Sequence, residues 1–166
     1  MTDPKKRQTR CLILACGNTL REDDGVGPWL AAWASERFGT GSGVRVVFTQ
    51  QWTPELAEDI AKAESVVFID CAMNGPPGSV RLIAVERGTE TLGLATHHLD
   101  ASQLLALCKE LYGSIPRNSL LLTVGAGSLE LREGFSEAVQ AALPDARAQL
   151  EATVLSMLTD SSGQRA

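Results

Sequence analysis

Three side chains are of the types that bind a cation or move a proton beside a strand end: Asp24, Asp70 and His97. Asp24 closes the acidic run Glu22-Asp23-Asp24, which follows the apolar stretch Leu12-Ile13-Leu14-Ala15 and a Gly17-Asn18 turn. Gly25-Val26-Gly27-Pro28 then leads into a helix. Asp70 ends the apolar stretch Val66-Val67-Phe68-Ile69, and His97, with its neighbour His98, follows Ala95-Thr96 and precedes a further helix. In open α/β sheets the crevice beyond the carboxyl ends of the strands is where ligands bind. Two carboxylates and one imidazole suit a borderline divalent metal with open coordination positions, and zinc, nickel, iron and manganese all fit that donor set.

Each residue also has a plainer structural role. Asp24 stands where a helix N-cap belongs, and Asp is a preferred cap. Glu22 and Asp23 are expected as solvated turn residues, although three adjacent carboxylates repel one another and a nearby cation would relieve that repulsion. Asp70 can simply bond loop amides. Adjacent histidines rarely face one site together, so one of the pair is a bystander. Cys16 and Cys71 flank the proposed ligands, where small residues pack well. No two of the four cysteines (Cys11, Cys16, Cys71, Cys108) form a CxxC pair, which excludes a zinc ribbon or a thioredoxin-type motif.

Positioning these groups requires alternating strands and helices, hence a three-layer α/β/α fold. The expected sheet is twisted, five-stranded and mostly parallel, with one antiparallel strand and helices on both faces. Strands are predicted at 11–16, 44–49, 65–70, 79–86 and 119–124. The link before the fourth strand, Gly75-Pro76-Pro77-Gly78, is too short for a crossover helix, so strands three and four run antiparallel. Helices are expected over 28–37, from Thr53-Pro54 with Thr as the cap, and from Asp100 to just before Gly113. A helical tail starts near Ser136, with Pro144 dividing it in two. Trp29, Trp33 and Trp52 are expected in the core.

The chain has 166 residues, 44% of them hydrophobic, enough for one domain with a real core. That domain is placed at 11–159, between a flexible tail (1–10) and a disordered one (160–166). The net charge of −5 argues against a nucleic-acid surface. No run approaches membrane-spanning length. The basic start around Lys5-Lys6-Arg7 lacks the apolar segment of a signal peptide, so a cytoplasmic location with reduced thiols is expected.

The chain resembles the maturation endopeptidases of NiFe-hydrogenases from about Leu12 to Leu158. Carrying the resemblance are Cys16-Gly17-Asn18-Thr19-Leu20, Asp23-Asp24-Gly25-Val26-Gly27, Phe68-Ile69-Asp70, Thr96-His97 ahead of Leu104-Leu105, and the closing Glu137-Ala138-Val139 and Ala142-Leu143-Pro144. The family pattern usually begins Gly-x-Gly-Asn, and here Ala15 replaces the first Gly. Its common Asp-Gly-Gly after the second strand is replaced by Gln50-Gln51-Trp52, followed by the Thr-Pro-Glu-Leu that some members carry. The resemblance implies removal of a C-terminal extension from the hydrogenase large subunit after nickel insertion. It implies Asp24, Asp70 and His97 as the groups that recognise nickel and act in catalysis, with His97 preferred to His98 by its distance to Leu104. Asn18 matches the family's turn Asn, which would position the loop or contact substrate, and Gln51 is the other implied substrate contact. The nickel is supplied by the precursor, with no tightly bound organic cofactor and a monomeric enzyme. A metallopeptidase holding its own zinc and a non-catalytic nickel-site checkpoint or chaperone are the rivals. A dinucleotide-binding domain fits poorly, because Asn18-Thr19-Leu20 follow Gly17 in place of GxGxxG and the acidic run repels a pyrophosphate.

Overall fold

A computed structural model describes residues 9–86 and 99–162. The elements run β1 (Thr9–Cys16), a 3-10 turn (Glu22–Gly25), α1 (Val26–Phe38), β2 (Val44–Thr49), α2 (Leu56–Ala61), β3 (Ala63–Ala72), β4 (Val80–Ala84), α3 (Ala101–Tyr112), β5 (Asn118–Gly125) and α4 (Glu137–Ser162). The five-stranded sheet has the order β2-β1-β3-β5-β4 and is parallel except for β4, which runs antiparallel to β5. The expected α/β fold with one antiparallel strand is therefore present.

Strand alternation divides the core into two layers. Cys11, Ile13 and Ala15 of β1 and Val67, Ile69 and Cys71 of β3 face α1 and α4. Leu12, Leu14 and Cys16 of β1 and Val66 and Phe68 of β3 face α2 and α3. Both strands are buried on both faces, which is why they read as unbroken apolar runs. From β1 the chain moves outward to β2, returns past β1 to β3, goes on to the edge strand β4 and comes back through α3 to β5. Right-handed crossovers in opposite directions place helices on opposite faces and open a crevice between β1 and β3 at their carboxyl ends.

The expected α3 signals are all met. Asp100 accepts from the Gln103 backbone at 2.8 Å while the Gln103 side chain accepts from the Asp100 backbone at 2.9 Å, and Gly113 closes the helix in the left-handed region. Elsewhere the structure corrects the expectations. β4 is shorter than 79–86, and β5 lies between it and β3. Gly78 donates to the Gly125 carbonyl at 2.8 Å and Gly125 donates to that of Ser79 at 2.9 Å, which ties the turn to β5. Thr53 and Pro54 form a turn ahead of α2 and do not cap it. β1 starts at Thr9, so Arg10 belongs to the sheet and not to a tail. It bonds the Gly43 carbonyl through its backbone and that of Leu158 through its guanidinium. α4 continues to Ser162, beyond the expected end of the domain.

Pro144 does not divide α4. An interior proline costs a helix about 3 kcal/mol. Val139, Leu143, Leu150, Val154 and Met157 are buried on one stripe spanning both sides of it. At about 1.5–3 kcal/mol per buried side chain, that stripe outweighs the defect. Trp52 is buried, and Trp29 and Trp33 pack partly buried against the core. Among the described residues no helix is long and apolar enough to cross a membrane.

Candidate active site

The turn after β1 is built on a close backbone approach. Gly17 has φ +150, and a Cβ there would lie 2.0 Å from the Asp24 carbonyl oxygen. A Cβ on Gly27 would lie 2.2 Å from that of Cys16, so α1 begins against the end of β1. The chain reverses between them in a 3-10 turn with Glu22 at φ 46. The Asn18 backbone N–H donates to Asp24 Oδ2 at 3.0 Å, and Asn18 Oδ1 accepts from Leu20 N–H at 2.9 Å. Asn18 thus holds the turn with its side chain. Asp24 makes no cap, because Gly25 is the N-cap residue of α1.

Asp70 reaches the same place from β3. β1 and β3 pair in parallel with Ala15 opposite Ile69, so Cys16 and Asp70 are adjacent on one face of the sheet. The Cys16 thiol donates to the Asp70 carboxylate, and the Cys71 backbone N–H donates to Asp70 Oδ1 at 2.7 Å. Burial lifts the Asp70 carboxyl above its ordinary range, with the Asp24 charge adding to the lift against those two hydrogen bonds. Burial, followed by Asp70, also pushes the Cys16 thiol far up, so it remains a protonated donor. The Cys71 thiol is pushed up to about 12 by burial and by the charges of Asp24 and Asp70. Neither thiol is a nucleophile at neutral pH.

Asp24 and Asp70 line one cavity of about 320 Å³. Its walls come from the ends of three strands: Cys16, Gly17 and Asn18 at and after the end of β1, Gln50, Gln51 and Trp52 after β2, and Cys71 and Met73 at and after the end of β3. Arg21 and Leu99 complete the lining. Gln51 is exposed, with its carbonyl accepting from Thr49 Oγ1 at 2.7 Å. Leu99 stands two positions after His97 in the chain. His97 and His98 lie outside the described residues. Among the described residues, no group of three His, Cys, Asp or Glu side chains could hold a metal ion. The cavity offers two carboxylates to a cation, which would keep its other ligands from elsewhere.

The solvated role expected for Glu22 and Asp23 is wrong: both are buried, at 1% and 0% exposure. Asp23 Oδ2 accepts from Gly127 N–H at 2.7 Å, Ser128 N–H at 2.8 Å and Ser136 Oγ at 2.7 Å, while Oδ1 accepts from Ser136 N–H at 2.7 Å. Burial alone would raise its carboxyl, but these hydrogen bonds outweigh burial and hold it below its ordinary range. Glu22 is paired with Arg132 at 2.6 Å, and that guanidinium, with Ser128, lowers its carboxyl. The donors lie more than 100 residues away, so no local pattern marked these two residues out. For Cys16 a signal did exist, since alternation along two paired strands places it beside Asp70.

A family model described as hydrogenase maturation protease matches residues 49–153. Among solved structures, the hydrogenase maturating endopeptidase HybD from E. coli is similar with a TM-score of 0.76 and 23% identity, over 89% of this chain and 93% of that one. That likeness is one of fold. The [NiFe] hydrogenase maturation protease HycI from Thermococcus kodakarensis is 27% identical over 91% of this chain and 93% of its own, with a TM-score of 0.62. The [NiFe] hydrogenase maturation protease HybD from the same organism is 25% identical over 87% and 99%, with a TM-score of 0.65. No curated protein matches by sequence.

Proposed function

The chain belongs to the hydrogenase maturation protease family, and from that premise we propose that it removes the C-terminal extension of a NiFe-hydrogenase large subunit once nickel has been inserted. The observation that carries this reading is the meeting of Asp24 and Asp70 in one cavity at the switch point of the sheet. An empty subunit leaves the two carboxylates repelling each other; a nickel-loaded one brings the cation that pairs them. Substrate metallation then acts as the specificity check, and the nickel is substrate and not a resident cofactor. His97 is the third group of the set on the family resemblance.

The chemistry is hydrolysis of one peptide bond. A carboxylate takes a proton from water, the water oxygen adds to the scissile carbonyl, and the proton passes to the leaving amine as the C–N bond breaks. Asp70 suits the proton-accepting role, because burial raises its carboxyl toward working pH while Cys16 and Cys71 fix its orientation. Asp24 supplies a charged oxygen at a position fixed by the Asn18 amide. Gln51, exposed on the rim, contacts the extension. The enzyme acts as a monomer in the cytoplasm.

Mass spectrometry of a nickel-loaded precursor before and after addition of the protein tests this. Loss of the extension from the loaded precursor, and not from the empty one, is the expected result. A stable complex with no mass change would point to a checkpoint or chaperone, and cleavage of unrelated peptides would point to a general metallopeptidase.

A further inference from the structure

We propose that Asp23 is a positioning residue for Asp24, locking the 3-10 turn to the segment between β5 and α4 so that the Asp24 carboxylate stays aimed into the cavity. This rests on the role given to Asp24 above. Successive residues of a 3-10 turn diverge by about 120°, so neighbouring side chains leave it in different directions. Asp24 lines the cavity. Asp23 is fully buried and bonds Gly127, Ser128 and Ser136.

Three sets of contacts make the lock. The Asp23 side chain accepts four hydrogen bonds between 2.7 and 2.8 Å. Its backbone N–H donates to the Ser128 carbonyl at 3.2 Å. Next to it, Glu22 donates from its backbone to the Arg132 carbonyl at 2.9 Å and pairs with the Arg132 guanidinium at 2.6 Å. These contacts hold Glu22 in the left-handed region at φ 46, a conformation that a non-glycine residue adopts only when its surroundings enforce it. The turn that presents Asp24 is therefore shaped by a segment over 100 residues away.

Only a carboxylate has acceptors at both ends for four donors. Asp23→Asn keeps the volume but turns an NH2 group toward one of those donors. Displacement of a catalytic group by about 1 Å can cost about 100-fold in rate. The test is processing of the nickel-loaded precursor by Asp23→Asn, scaled to folded protein, with amide hydrogen exchange followed at Asn18 and at Ile13. Asn18 N–H reports on Asp24 because Asp24 Oδ2 is its acceptor; Ile13 reports on the sheet. Positioning predicts kcat down by about 10- to 100-fold, KM within about threefold, faster exchange at Asn18 and unchanged exchange at Ile13. Wild-type kcat, or unchanged exchange at Asn18, overturns it. Should Asp23→Asn fail to fold, Ser136→Ala removes one of the four donors to Asp23, together with the acceptor of Val139 N–H at the start of α4, and carries the same readouts, with kcat down by about fivefold for the one hydrogen bond to Asp23. Asp24→Asn separates the two ideas. If that variant cleaves normally, the role of Asp24 fails, and the Asn18 exchange in Asp23→Asn still decides whether the lock exists.

Discussion

Two of the cavities among the described residues lie at opposite ends of the sheet, and the larger of the two is not the one that holds the paired carboxylates. The cavity of about 590 Å³ sits where β4 ends and β5 begins, against α4, and its walls include Leu82, Asn118, Gln149, Ser156 and Asp160. The cavity of about 320 Å³ sits at the carboxyl ends of β1, β2 and β3 and holds Asp24, Asp70 and Cys16. Volume at the first end comes from the gap between an edge strand and a long helix. At the second end it comes from the chain leaving β1 toward β2 and β3 toward β4, in opposite directions along the sheet. That divergence draws loops from three strands around one space, which is how groups remote in sequence meet.

The sharpest way to break this contrast is Asp70→Asn. Tail removal should fall by about 100- to 10,000-fold, the cost of removing an electrostatic or proton-transfer group from a site, with the fold intact by circular dichroism. Near-normal processing would detach function from the carboxyl end. Gly27→Ala comes next. Its Cβ would meet the Cys16 carbonyl oxygen at 2.2 Å, in backbone that cannot swing aside. Urea unfolding should show a loss of about 1–3 kcal/mol; an unchanged midpoint would show that the turn can relax. Gln51→Ala should raise KM about fivefold with kcat steady, as expected for a rim contact that binds ground and transition states alike.

The pH dependence sharpens the comparison further. Asp70 is raised in the fold, so the native state holds its proton more tightly than the unfolded chain does. Its contribution to stability falls as pH rises from its ordinary 3.8 through the raised value. Asp23 is lowered, so its contribution is present above 3.8 and is lost as pH falls through its depressed value. Chemical unfolding across pH should therefore show Asp70→Asn gaining on the wild type as pH rises through the Asp70 window. A constant gap would deny the burial cost. The smallest effect is expected at the other end: Gln149→Ala, exposed in the larger cavity, should change stability by less than about 0.5 kcal/mol and leave processing at the wild-type rate.

The carboxyl-end site was partly legible in the chain. Asp24 and Asp70 were visible because each follows an apolar run, and strand ends carry binding groups in this fold class. Asn18 was visible as a turn residue, but whether its side chain held the turn or met the substrate depended on where Leu20 N–H came to lie. Glu22 and Asp23 read as solvated in the sequence and are buried in the fold. Their type and spacing are those of an exposed acidic turn, and the donors that neutralise them belong to the segment around 127–136.

Short-range physics was enough for the elements themselves: the doubly buried strands, the Asp100-Gln103 capping box and the left-handed stop at Gly113 depend on neighbours a few positions apart. Long-range contacts decided the rest. They set which of three adjacent carboxylates faces the cavity, whether α4 survives Pro144, and which strand lies beside β4. Hydrogen-bond donors and buried surface arriving from remote segments outweigh local preference by several kcal/mol, about the scale of a few buried side chains, and their arrival is a property of the assembled sheet.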